Sequence, residues 1–177
     1  MSPLDLDQLD GRFGEAWAGA VPNGSHLNLV VARRASPTAA AIAGQLGATT
    51  PGHAPLLLCL GAGNLVRPAT VVRNKTTVAG ERISLITWGA AQVGLAQGVL
   101  DAVADGTIAE ALIDELVLMV AVWVDPVAFD HAAVKQANRE AARAAIADAF
   151  ASSHADQARD LVARRNELSN AFDRSGA

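Results

Sequence analysis

Leu116 to Val124 is an unbroken run of nine apolar residues, and it constrains the fold more than any other stretch of the chain. A membrane-crossing helix needs roughly 18 apolar residues or more, and no apolar run here reaches that length. The run suits a buried strand, with Glu115 opening it and Asp125-Pro126 closing it. Such a strand belongs at the centre of a sheet with other elements packed over it.

Ser25 to Arg33 predicts a second strand. Leu27, Leu29 and Val31 fall on one face and His26 and Asn28 on the other, side by side on a surface the core does not use. Ser36-Pro37 then opens a helix, a serine cap followed by proline where its missing N–H costs nothing, and an Ala-rich run carries it to about Gly47. Pro55 to Leu60 is a short apolar strand ended by Gly61-Ala62-Gly63-Asn64. Ala69 to Val78 is another, with Arg73, Lys75 and Thr77 on one face and Val72, Asn74 and Thr76 on the other.

A helical pattern runs from about Ile83 to Ala104, with Gly106 as the stop. Asp125-Pro126 repeats the cap-plus-proline device and is expected to start an Ala-rich helix reaching about Phe150. An amphipathic segment from about Ala155 to Phe172 follows. The order strand, strand, helix, strand, strand, helix, strand, helix implies one sheet covered by helices, an α/β or α+β two-layer plan. With no repeat and no linker, the expected division is a flexible arm at residues 1–13, one domain at 14–150 and a helical extension at 151–177.

Composition narrows the function. The chain is 51% hydrophobic and 18% charged, a globular balance, and its net charge of -4 disfavours a nucleic-acid partner. Met1 to Gly11 holds three Asp and no apolar stretch, unlike a secretory signal. Cys59 is the single cysteine, which excludes an intrachain disulfide and fits a reducing cytoplasm. His26, His53, His131 and His154 show no metal-ligand spacing, so no metal is expected.

Three polar groups stand where the pattern calls for apolar or neutral residues. His26 can act as a general acid or base near neutrality; the plainer reading is a half-exposed strand residue bonded to its neighbours. Lys75 and Thr77 offer a cation and a hydroxyl on one surface, or form an ordinary solvated strand face. Gln92 lies one helical turn beyond Trp88, among small residues that let a ligand or another backbone approach. Gly61-Ala62-Gly63 lacks the third glycine of a dinucleotide loop and leads into a strand, so that reading is rejected.

The segments Gly14-Glu15-Ala16, Ser25-His26, Arg34-Ala35-Ser36-Pro37, Asn74-Lys75-Thr76-Thr77, Gly89-Ala90-Ala91-Gln92 and Asp101-Ala102-Val103-Ala104-Asp105-Gly106 resemble the formaldehyde-activating enzyme family in order and spacing. The resemblance runs without insertion or deletion from about Gly14 to Ala147. It implies a two-layer sandwich like the second domain of ribosomal protein S5, assembled as a cytoplasmic homopentamer with sites between subunits. It also implies the condensation of formaldehyde with tetrahydromethanopterin to the 5,10-methylene derivative and water. The pterin is then a co-substrate, with no permanently bound cofactor, no nucleic acid and no membrane involved.

The family's catalytic residue falls on His26, as general acid, and its pterin-contacting positions fall on Leu57, Lys75, Thr77 and Gln92. Asn28 stands where the family has Asp, and Ala90 where it has Pro. The substitution at Asn28 leaves open a paralogue that binds a tetrahydropterin or tetrahydrofolate, or senses formaldehyde, without catalysis. An RNA-binding module, suggested only by the ribosomal relative of the fold, is opposed by the acidic balance.

Overall fold

The computed structural model describes residues 6–61, 63–151 and 154–168. A short helix α1 (Leu6–Leu9) leads into β1 (Phe13–Ala18), β2 (Ser25–Arg33) and helix α2 (Pro37–Gln45). Short strands β3 (Leu56–Leu57), β4 (Cys59–Leu60) and β5 (Asn64–Leu65) precede β6 (Ala69–Asn74). Then come α3 (Glu81–Leu85), a π-helical segment Ile86–Ala91, α4 (Gln92–Ala104), β7 (Leu116–Val124), α5 (His131–Phe150) and α6 (His154–Ala163).

The main sheet has the order β1-β2-β7-β6-β3. The pairs β1–β2, β2–β7 and β3–β6 are antiparallel and β6–β7 is parallel, so the sheet is mixed and the α+β sandwich expected from the sequence is the fold. The apolar run is the central strand. Leu116, Leu118, Val120, Val122 and Val124 are at most 3% exposed, and Leu27, Leu29 and Val31 of β2 lie on the same buried face. Together they meet α4 and α5.

Those two helices pack closely because glycine and alanine face each other. A Cβ at Gly94 would sit 2.1 Å from the carbonyl oxygen of Lys135, and one at Gly98 2.6 Å from the Ala142 methyl. The continuous helix Glu81–Ala104 is long and apolar enough to cross a membrane by length and composition, a feature that reading apolar runs alone passed over. In its most apolar window 56% is buried inside the fold, as in the core helix of an α+β sandwich.

The opposite face of the sheet is only half covered. Helix α2, capped by the Ser36 hydroxyl accepting from Ala39 N, seals one end over a second cluster of Ala32, Ala39, Ile42 and Val71. Among the described residues no helix covers the far end of that face, and it is there that His26 projects.

Several boundaries differ from the sequence reading. β6 stops at Asn74 rather than Val78, because the Asn74 amide donates to the carbonyls of Gly52 and Thr76 and turns the chain out of the sheet. The apolar stretch at Pro55–Leu60 splits at Leu58, whose N–H donates to Thr70 and whose carbonyl accepts from Val66. Asp125-Pro126 starts a turn and not the long helix. Asp125 accepts from Val127 N, and Asp130 is the cap, accepting from Ala132 and Ala133 N. Within the segment read as an arm, Leu9 is fully buried and Phe13 begins β1. The final helix ends at Ala163, and the part of the reading beyond Leu168 lies outside the described residues.

Candidate active site

Three side chains meet in a line on the open end of the sheet. Nε2 of His26 lies 2.6 Å from Oε1 of Glu15, and Nδ1 lies 2.8 Å from Nζ of Lys75. Lys75 also donates to Oδ1 of Asn28 at 2.7 Å.

Sheet register explains the meeting. Trp17, His26 and Trp123 are direct cross-strand partners on β1, β2 and β7, and Glu15, Asn28 and Ala121 form the adjacent row on the same face. Glu15 therefore reaches His26 diagonally, a normal distance for a long side chain. Lys75 enters from the loop that Asn74 creates, its N–H held by Val122 O at 2.6 Å.

Aromatic packing fixes the imidazole. Trp17 stacks on the His26 ring with centroids 4.0 Å apart and planes 12° from parallel, while Trp123 tilts against Trp17 at 5.7 Å. The His26 side chain keeps 15% exposure, against 59% for Glu15, so the ring is sheltered and its carboxylate partner faces solvent. Beneath the site, buried Ser25 has its hydroxyl 2.9 Å from both Trp123 O and Asn138 Oδ1, which ties the start of β2 to α5. Partial burial draws the Lys75 ammonium below the usual lysine range, with the charge of Glu15 opposing the shift.

The remaining expected site residues lie elsewhere. Thr77 is bonded to His53 Nε2 at 3.1 Å, and His53 Nδ1 bonds to Asn74 O at 3.0 Å, so His53 braces the Lys75 loop. Leu57 sits on β3, opposite Val71, which pairs with Met119, which pairs with Val30. That places Leu57 three strands from β2, about 14 Å sideways, and His26 is four residues further along β2, about 13 Å more. Gln92 reaches the carbonyl of Cys59 at 3.4 Å, near that same edge and directly after the π-helical segment. The chain thus gathers His26, Asn28 and Lys75 and leaves Leu57 and Gln92 at the other side.

Glu15 and Trp17 were missed as site residues. Their signal was present in Phe13–Ala18, where large or charged side chains alternate with Gly14, Ala16 and Ala18. Among the described residues, no group of three or more His, Cys, Asp and Glu side chains is placed to hold a metal ion.

A mixed sheet carrying a cluster of Glu15, His26, Lys75 and Asn28 walled by tryptophan defines an α+β protein with a candidate acid–base site on one sheet face. The model of the family described as formaldehyde-activating enzyme matches residues 13–173, and the chain belongs to that family. It is 34% identical over 142 residues to a 5,6,7,8-tetrahydromethanopterin hydro-lyase of Methanosarcina barkeri, covering 80% of each chain. It is 35% identical over 133 residues to a bifunctional enzyme Fae/Hps of Methanothrix thermoacetophila and 34% identical over 139 residues to one of Methanosphaera stadtmanae. Those matches take in 75% and 78% of this chain and 34% of each bifunctional relative.

Proposed function

We propose that this protein condenses formaldehyde with a reduced pterin carrier, tetrahydromethanopterin in the name of the M. barkeri relative, giving the 5,10-methylene derivative and water. The observation that carries the reading is the line Glu15–His26–Lys75 on the open end of the sheet.

The chemistry needs such a line. One carrier nitrogen adds to formaldehyde to give a carbinolamine, and losing water from it requires a proton on the departing hydroxyl. His26 is the general acid of this step, in a fixed orientation set by Trp17 and Glu15. A second carrier nitrogen then closes the ring and returns a proton, so the reaction consumes formaldehyde and two N–H bonds and releases one water. Asn28 and Lys75 position the carrier beside His26, which accounts for part of the acceleration by holding the reactants together.

Leu57 and Gln92 sit too far across the sheet to meet the same end of a carrier lying at His26. A homopentamer in which a neighbour's edge bearing Leu57 and Gln92 lies against the His26 end fits that separation and closed heterologous contacts.

The test follows methylene-carrier formation with tetrahydromethanopterin and with tetrahydrofolate, each against a protein-free blank, because formaldehyde condenses with such amines unaided. Acceleration with tetrahydromethanopterin supports the reading. Asn28, in place of the family's Asp, favours a second one: a carrier-binding protein of altered specificity. Tight carrier binding with no acceleration, or acceleration with tetrahydrofolate alone, would select it.

A further inference from the structure

Nζ of Lys75 and Nδ1 of His26 are 2.8 Å apart, and both nitrogens are held in place by their neighbours. Asn28 Oδ1 accepts from Nζ at 2.7 Å, Glu15 Oε1 lies 2.6 Å from Nε2, and Trp17 stacks on the ring. In so short a contact one nitrogen donates and the other presents a lone pair. When His26 is the imidazolium, the form that serves as acid in the condensation, Lys75 is the amine. Partial burial of Lys75 favours that arrangement, and the charge of Glu15 opposes it.

The separation also suits a one-carbon bridge. Two single C–N bonds of ~1.45 Å meeting at a tetrahedral carbon hold their nitrogens about 2.4 Å apart. Nζ and Nδ1 need to close by a few tenths of an ångström, which the flexible lysine stem can supply. Lys75 is exposed, so a small aldehyde reaches the pair from solvent.

We propose that, when no carrier occupies the site, Lys75 and His26 capture one formaldehyde between them as a methylene bridge from Nζ to Nδ1. This rests on the proposed function for the identity of the aldehyde, and it gives the same side chains a second, covalent fate. The Lys75 amine adds to the carbonyl carbon, a C–N bond forms, and an amine proton passes to the oxygen, giving a carbinolamine. The His26 imidazolium then acts on this hydroxyl as it does on the carrier's. Its Nδ1 proton leaves with the oxygen as water, and the Nζ lone pair forms a C=N bond. The ring, now neutral, attacks that carbon through Nδ1, and the second C–N bond forms. One formaldehyde enters, one water leaves, and the positive charge that began on the ring ends there. A bridged His26 has no Nδ1 proton to give. Order of addition therefore matters: carrier first is productive, and formaldehyde first blocks the site.

The chain carries its own reference, since its two lysines are Lys75 and Lys135, the latter exposed on α5. The test treats carrier-free protein at neutral pH with equimolar formaldehyde and follows intact mass and tryptic peptides. The expected product gains the mass of one carbon atom and joins residues 13–33 to residues 74–82, the peptides that hold His26 and Lys75. Lys75 should react roughly tenfold or more faster than Lys135, because its second nucleophile is already in place. Prior saturation with tetrahydromethanopterin should suppress the bridge. Equal modification of the two lysines, or a mass gain with no joined peptides, overturns the proposal. In an active protein, preincubation with formaldehyde should lower the initial rate in proportion to the bridged fraction. An undiminished rate from fully bridged protein would overturn the block. The two readings separate in the same samples. A bridge in a protein that accelerates neither carrier upholds the capture and sinks the condensation, whereas acceleration without a bridge does the reverse.

Discussion

Glu15 on β1 and His26 on β2 are one row apart across an antiparallel pair, and their side chains meet diagonally at 2.6 Å. The carboxylate beside the imidazole therefore comes from the neighbouring strand. The resemblance places an acidic residue two positions after the histidine, where this chain has Asn28, and Asn28 bonds to Lys75. The negative charge near the ring is present even though Asn28 is neutral.

Glu15→Gln keeps the shape and removes the charge that fixes which ring nitrogen carries the proton. The maximal rate should fall, by up to about 10⁴-fold as for the carboxylate that orients the histidine of a catalytic triad, with carrier affinity little changed. Steady-state kinetics at saturating carrier check this, and an unchanged maximal rate would remove Glu15 from the mechanism.

Much of this was legible in the sequence. The β2 alternation put His26 and Asn28 on the open face, because burial of one face leaves a period of two, and the nine-residue apolar run marked the central strand by its length and composition. Glu15 was not legible as a partner, since diagonal contacts depend on the register between β1 and β2 and no local pattern encodes register. Lys75 was assigned to a strand because Val, Thr and Asn continue its composition. The turn is made by the Asn74 amide, a side-chain competitor for the backbone that propensity does not reveal. The helix start at His131 went astray for a related reason, as Asp125 and Asp130 are both capable caps and only tertiary context chooses between them.

Asn28→Asp places a carboxylate against the Lys75 ammonium and not against the ring. Burial lowers the lysine pKa, and an added anion opposes that by favouring the charged form. The ammonium is present below its pKa and lost as pH rises through it, so the alkaline limb of the rate profile should move to higher pH in the variant. A pH–rate series through the alkaline range checks the direction. An unmoved alkaline limb would show that Lys75 does not titrate in the reaction.

Gly14 carries Glu15 past α5 with no room to spare. A Cβ there would lie 2.0 Å from the carbonyl oxygen of Ala145 and 2.9 Å from the nitrogen of Ala149, both rigid main-chain atoms. Gly14→Ala should cost at least about 1–3 kcal/mol from overpacking and lower the melting temperature by about 2–4 °C per kcal/mol. Gly44 in α2 has nothing within 4 Å, so Gly44→Ala should leave stability unchanged or slightly raised. Paired thermal melts decide it, and equal effects of the two substitutions would contradict the close approach of β1 to α5.

The α4–α5 pair is clamped by charge as well as by glycine. Asp101 accepts from Arg139 at 2.5 and 2.7 Å, and Arg143 bridges to Asp105 at 3.1 Å. The hydrogen bond from Arg139 holds the Asp101 carboxyl below its usual range, against its partial burial. A carboxylate whose folded pKa is depressed contributes stability above the unfolded value, near pH 4, and loses it as pH falls through the folded value. Asp101→Asn should therefore destabilise the protein at pH 7 and converge with the parent in strong acid. Denaturant titrations at both pH values check it, and a gap that persists in acid would assign the effect to packing.

The central claim is that a cluster built on His26 accelerates the joining of formaldehyde to a tetrahydropterin, and the direct measurement is blank-corrected methylene-tetrahydromethanopterin formation by the parent and His26→Ala proteins side by side. His26 lies on the open face, away from Leu27 and Leu29 in the core, so the variant should fold normally. Its acceleration should drop by about 10²–10⁴-fold, the usual contribution of a general acid, leaving a rate close to the blank. A His26→Ala protein as fast as the parent would contradict the account.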